Sequence, residues 1–227
     1  MDFLGLGSRL ASVRDRIRLH QARGGWTHPV RIVAVTKTHG PDAVRAALAA
    51  GLEDVGENRV QEALAKQEQL VGVPVRWHLI GPLQRNKARH AVGRFALIHS
   101  VDREDLATEL DRRVTEGSRQ PVLVEVNCSG EAQKSGVEPG GLAPLLDRIA
   151  ALPRLDLQGL MTMAALSDDE GVQRGAFARL RELRDRMQAA GHRLPELSMG
   201  MSGDFPAAVE EGATMVRLGT LLFGERQ

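Results

Sequence analysis

The sequence predicts an α/β fold, a single (β/α)8 TIM barrel with an extra helix ahead of it. Three observations predict this. Eight short runs of apolar, branched residues alternate with stretches that read as helices. The 227 residues match the usual size of one such barrel and contain no stretch with linker composition, so one domain spanning 1–227 is expected. No GxGxxG or GxxxxGKS sequence follows the first strand, which weakens the open doubly wound sheet as an alternative.

Residues 8–21 form the leading helix, and the Gly24-Gly25 pair separates it from the barrel. The first strand is 31–37 (RIVAVTK). Pro41 suits the first turn of the helix that buries Val44, Ala47 and Leu48, with Gly51 past its end. The second, third and fourth strands are 52–58 (LEDVGEN), 75–81 (VRWHLIG) and 95–101 (FALIHSV). Asp102 stands as an N-cap before Leu106, Leu110 and Val114, and Gly117 ends that helix. Strands five and six are 121–127 (PVLVEVN) and 156–163 (DLQGLMTM). Val172, Phe177, Leu180, Leu183 and Met187 then make one helical stripe before Gly191. The seventh strand is 196–202 (ELSMGMS), and 214–223 contains the eighth. Most of the strands are short and apolar, as expected when helices cover both faces of a parallel sheet.

Composition narrows the function. Thirty basic residues against 29 acidic ones leave a net charge of +1, so no global field favours nucleic acid or an anionic membrane. Cys128 is the one cysteine, which excludes an internal disulfide and fits a reducing compartment. The first 22 residues carry arginines without a continuous apolar run, so neither a secretory signal nor a membrane span is expected, and the cytoplasm is the default. The seven histidines (His20, His28, His39, His78, His90, His99, His192) lack metal-ligand spacing, and no metal is expected. There is no tyrosine. The surface composition names no protein partner, and a monomer is the expectation.

Lys37 is the sharpest chemical feature. It ends an apolar strand at the barrel end where active sites sit, and alternation gives it the face of Val33 and Val35. If that face points inward, desolvation favours a neutral, nucleophilic amine; otherwise the lysine opens a loop toward water. Two glycine-containing turns follow strands seven and eight: 198–204 (SMGMSGD) and 217–220 (RLGT). Barrels often build a phosphate site from these loops, and Ser202 and Thr220 could supply hydroxyls while Gly203 and Gly219 allow close backbone approach. Ordinary strand-to-helix turns would look similar. Arg217 lies in an apolar strand on the face of Met215 and Gly219, so it requires a ligand or a buried ion pair, for which Glu57 is a candidate. Asn58 and His78 end the second and third strands, where lining the mouth and capping a helix are both open. The basic run at 84–94 reads as a solvated helix face.

Six segments in order, AVTKT at 34–38, VGENRVQEA at 55–63, WHLIGPLQRNK at 77–87, GLMTM at 159–163, LSMGMSGDF at 197–205 and VRLGTLLFG at 216–224, resemble the pyridoxal phosphate homeostasis protein family over nearly the whole chain. The resemblance implies a barrel like the N-terminal domain of alanine racemase. It implies pyridoxal 5'-phosphate as the cofactor, held as a Schiff base on Lys37. Ser202, Gly203, Gly219 and Thr220 would hold the phosphate, Arg217 would face the pyridine nitrogen, and Asn58 and Met199 would line the cofactor. Many members carry a second lysine two positions after the first; here that position is His39, which puts any hand-off to that lysine in doubt. Lys134 matches another lysine of the family.

The role expected is intracellular vitamin B6 homeostasis, with delivery of cofactor to apo-enzymes as an extension, and not catalysis. An arginine can only donate to the ring nitrogen, which leaves that nitrogen unprotonated and the ring a weaker electron sink. Alanine racemases tolerate such an arginine but add a tyrosine acid/base, aided by a second domain, and this sequence has neither the tyrosine nor residues to spare for that domain. One alternative is an amino-acid racemase with Lys37 and either His78 or Cys128 as its two bases. Another is a class I aldolase-like barrel in which Lys37 attacks a sugar-phosphate carbonyl.

Overall fold

In a computed structural model describing residues 3–131 and 133–224, the apolar runs become parallel strands and the stretches between them become helices. The expected domain, 1–227, extends slightly beyond those residues. The order is α1 (Leu6–Gly24), β1 (Arg31–Val35), α2 (Pro41–Ala49), β2 (Asp54–Glu57), α3 (Val60–Gln69), β3 (Arg76–Leu79), α4 (Ala88–Ala91), β4 (Leu97–Val101), α5 (Glu104–Arg113), β5 (Gln120–Glu125), α6 (Leu142–Ala150), β6 (Leu155–Met161), α7 (Glu170–Ala189), β7 (Glu196–Met201), α8 (Phe205–Glu210), β8 (Met215–Leu218) and α9 (Thr220–Phe223). Among the described residues the eight strands close into a barrel, with β1 pairing β8 from Arg31↔Met215 to Ala34↔Leu218. The expected TIM barrel is therefore the observed fold.

Two layers of apolar side chains hold it. Val33, Leu97, Leu123, Met161 and Met215 fill part of the barrel interior, and the larger core lies between the strands and the outer helices. On α1 the stripe Leu6, Leu10, Val13 and Ile17 is buried, and the helix packs against α8 and α9. Trp26 Nε1–H donates to the carbonyl of Glu210 at 2.7 Å, tying the turn after α1 to the barrel. Among the described residues no helix is long and apolar enough to cross a membrane.

Three expectations need correction. The strands stop short of their predicted ends: β1 ends at Val35 and β2 at Glu57, because ladder pairing runs out there, so Lys37 and Asn58 stand on loops just past the C-terminal rim. The span 214–223 does contain the eighth strand, Met215–Leu218, and α9 follows it. Asp102 does not cap α5; the N-cap is Arg103, in extended conformation, and Asp102 instead accepts from Arg103 Nη1 at 2.6 Å. On α7 the buried stripe is Ala176, Phe177, Leu180 and Leu183, while Val172 is exposed.

Candidate functional site

The loops past the C-terminal rim enclose a cavity of about 300 Å³. Lys37, Asn58, Ser202, Gly203, Arg217, Gly219 and Thr220 all line it, together with the apolar side chains of Val35, Ile80 and Met163. A second cavity, of about 350 Å³, opens at the opposite end beside Arg31, Asp54 and Arg76, but these charges pair with protein groups: Arg31 with Glu196, Arg76 with Asp54. The mouth gathers a nucleophile, hydroxyls and glycines, and is the candidate site.

Alternation places Lys37 there. Val33 belongs to the barrel's inner cluster and Val35 lines the cavity, so the next residue of that parity enters it too. The turn is held from outside by a buried cluster that sequence reading missed. Lys66 Nζ–H donates to the carbonyl of Thr36 at 2.8 Å, to Glu57 Oε1 at 2.7 Å and to Glu62 Oε1 at 3.2 Å. The Thr36 hydroxyl donates to Glu57 Oε1 at 2.6 Å, and the Thr38 N–H donates to Glu62 Oε1 at 2.6 Å. Thr38 has φ of 68°, a costly conformation for a β-branched residue, and it directly follows Lys37. Lys37 is thus bracketed by two threonines that one Lys–Glu–Glu cluster holds. Burial disfavours the Glu62 carboxylate, but the bonds from Thr38 and Lys66 outweigh it and lower the pKa. The Glu62/Lys66 pair at i,i+4 was the available sequence signal.

The loops after β7 and β8 meet at Ser202. Its Oγ accepts from the backbone N–H of Gly219 and of Leu221, each at 3.3 Å. A Cβ built at Gly203 would meet nothing within 4 Å, and one at Gly219 would touch Val35 at 3.5 Å, an ordinary contact. Neither glycine has a positive φ, so the fold itself does not demand glycine at either place.

Arg217 lies inside the barrel, nearly fully buried. Its Nη1 donates to the carbonyl and the Oγ of Ser198, both at 2.7 Å, and its Nη2 donates to the Thr162 carbonyl at 2.9 Å. Three of five guanidinium protons are thereby engaged. Burial pushes its pKa down, to about 10, against the charges of Asp204 and Glu125, so it stays charged at neutral pH. The suggested partner Glu57 is excluded: it points outward to Lys66.

Met199 is also corrected. Its side chain packs in the core between strands and helices, and Met201 lines the cavity instead. His78 does not line the mouth; it is buried between Asp54 and His99. Cys128 is buried in the outer core, and its thiol is pushed up to about 11 by burial. Neither candidate second base of the racemase alternative faces the cavity. His39 lines the cavity and packs against Phe3 and Phe223. Lys134 Nζ donates to the Ala164 carbonyl at 2.8 Å and pairs with Glu131. In the basic run, Arg85, Arg89 and Arg94 are exposed, as a solvated face requires.

Glu125 shares the inward face of β5 with Leu123. Burial, with the charge of Asp102 adding and Arg217 opposing, pushes its pKa from an ordinary 4.5 up to about 7. A raised carboxyl makes the fold lose stability as pH climbs from the unfolded value through the folded one, by at most about 3 kcal/mol for a difference of this size. Glu125→Gln is therefore expected to raise unfolding stability by about 1–3 kcal/mol at pH 8 and to change it little near pH 4. Urea unfolding at both values checks this; equal effects at the two pH values would refute it.

Residues 9–227 match the family described as alanine racemase, N-terminal domain. A pyridoxal phosphate homeostasis protein of Aquifex aeolicus is 45% identical over 222 residues, covering 96% of this chain and 97% of that protein. PipY of Synechococcus elongatus, solved with PLP bound, is 41% identical with a TM-score of 0.84, covering 96% of this chain and all of that one. An alanine racemase of Clostridium difficile shares the barrel alone, at 16% identity and a TM-score of 0.72, over 57% of its length.

Proposed function

The chain belongs to the pyridoxal phosphate homeostasis proteins, a family built on the alanine racemase N-terminal barrel, and on that premise we propose that it holds pyridoxal 5'-phosphate reversibly as a Schiff base on Lys37. The observation that carries the reading is the convergence of Lys37, Arg217 and the two glycine loops on one cavity.

The residues present fit the group. Gly203 and Gly219 are glycines that the protein's own packing does not require, and they leave room for close approach of an anion. The hydroxyls of Ser202 and Thr220 and the N–H groups that now converge on Ser202 Oγ suit phosphate oxygens. Arg217 lines the cavity and keeps two N–H groups not engaged by Ser198 or Thr162, and it would face the ring nitrogen as a donor. Val35, Ile80 and Met163 make part of the cavity wall apolar, and Asn58 lines it beside Lys37. When bound, the cofactor supplies an aldehyde carbon that a neutral amine attacks.

The role is storage and delivery of the cofactor, in the cytoplasm, to apo-enzymes that use it, and not turnover of an amino acid. The sequence has no tyrosine, and neither His78 nor Cys128, the two side chains weighed as a second base, lies at the mouth, which supports that reading. The test is an absorption spectrum of the purified protein before and after borohydride, with peptide mass mapping. A visible band that borohydride traps on Lys37 is the expected result. Protein that stays unlabelled after added pyridoxal phosphate overturns the reading, and solvent-deuterium exchange at the α-carbon of alanine would make it an enzyme.

A further inference from the structure

A chain of buried polar side chains crosses the barrel interior from one end to the other. At the N-terminal end Arg76 grips Asp54 with both Nε and Nη2, at 2.7 Å each. Asp54 Oδ1 lies 2.8 Å from His78 Nε2. His78 Nδ1 lies 2.9 Å from His99 Nε2, and His99 Nδ1 lies 2.9 Å from Ser198 Oγ. Ser198 Oγ is the atom that accepts from Arg217 Nη1 at 2.7 Å. His78, His99 and Ser198 are all at most 2% exposed.

The protons have a direction. Arg217 can only donate, so Ser198 Oγ is an acceptor there and its own proton is free to go to His99 Nδ1. His99 then carries its proton on Nε2 and donates to His78 Nδ1. His78 in turn donates from Nε2 to Asp54, which accepts. This order satisfies every bond with both rings neutral and the carboxylate ionised. It agrees with the environment: burial, with the charge of Arg217 adding, drives His99 well below the usual histidine range. At Asp54 burial works against the carboxylate, but the bonds from Arg76 and His78 outweigh it and hold the group ionised. Bonds aligned in one sense polarise one another.

Barrel interiors are normally packed with branched apolar side chains. Burying two imidazoles, a hydroxyl and a carboxylate in their place is unfavourable unless each is fully bonded, and this chain ends on Arg217, which lines the mouth. We propose that Asp54, His78, His99 and Ser198 are positioning residues, a one-directional hydrogen-bond chain that fixes the Arg217 guanidinium as a donor to the cofactor ring. The inference rests on the proposed function, since it assumes that Arg217 faces that ring.

The test begins without cofactor, on the full chain labelled with nitrogen-15 in histidine and arginine. His78 and His99 are expected as neutral rings protonated on Nε2, and Arg217 as a guanidinium with separate Nη1 and Nη2 signals. Ser198→Ala removes one oxygen atom. It is expected to shift the Nη1 signal while the bonds to the Ser198 and Thr162 carbonyls keep it apart from Nη2, to shift the absorption band of the loaded protein, and to speed cofactor release about fivefold, as loss of one net hydrogen bond implies. A proton on His99 Nδ1 overturns the inference. So does a Ser198→Ala protein whose Arg217 signals, band and release rate all match the native ones. If that variant does not fold, the tautomers of the native protein decide. Native protein with the expected tautomers but no borohydride label on Lys37 overturns the proposed function, and with it the chain's role toward a ring.

Discussion

Lys37→Ala is expected to abolish the visible band and all borohydride labelling while leaving the fold intact. Lys37 sits on a loop, half-buried, past the last ladder bond of β1, so its truncation should shift unfolding stability by less than about 1 kcal/mol. The phosphate loops are unaffected, and residual non-covalent binding should persist, weakened about a hundredfold, or about 2.8 kcal/mol. Lys66 cannot take over as the nucleophile, because its ammonium is buried and committed to Glu57, Glu62 and the Thr36 carbonyl. Equilibrium dialysis, borohydride trapping and denaturant unfolding of the variant measure the three parts separately. A trapped label on another lysine, or a native band, would move the site.

How much of this was legible beforehand depends on whether a residue acts through period or through neighbours. Alternation along RIVAVTK carried Lys37 to the mouth, because Val33 and Val35 do face inward. The same rule applied to β2 would have excluded Glu57 as a partner for Arg217: Asn58 lines the cavity, so its neighbour Glu57 must face the helices. Met199 was carried over with its motif and failed on the same ground. Ser198 turns in toward Arg217 and Met199 turns out, and the register slips between Ser198 and Met201, bringing Met201 to the rim. Asp102 failed by one position, since the chain stays extended through Arg103 before α5 begins. The His78–His99 bond and the reach of Lys66 to Thr36 were not legible, because they join residues 21 and 30 positions apart whose meeting depends on how neighbouring strands pair.

The cluster behind Lys37 yields the largest stability effect. Glu57 is fully buried, and its Oε2 has no hydrogen-bond partner; Oε1 receives the Thr36 hydroxyl and Lys66 Nζ. Burial raises its pKa even with Lys66 and Thr36 pulling it down. Lys66→Met keeps the volume and deletes the cation, leaving a buried carboxylate uncompensated, and about 3–5 kcal/mol of unfolding stability should be lost at pH 8. The sign with pH follows. Without Lys66 the folded carboxyl titrates still higher above its unfolded value of 4.5, so the loss is smallest below that value, where both states are protonated, and grows as pH rises. Adding Glu57→Gln should recover much of the loss, because the charge that lacked a partner is gone; a double-mutant cycle isolates that coupling. Thr36 and Thr38 flank Lys37, so the single variant should also slow trapping by borohydride after added pyridoxal phosphate, whereas the double variant, with Glu62 still able to hold Thr38, should slow it less. A Lys66→Met protein within about 1 kcal/mol of native at pH 8 would mean that Glu57 is already protonated there and that Lys66 holds the turn through the Thr36 carbonyl rather than through charge.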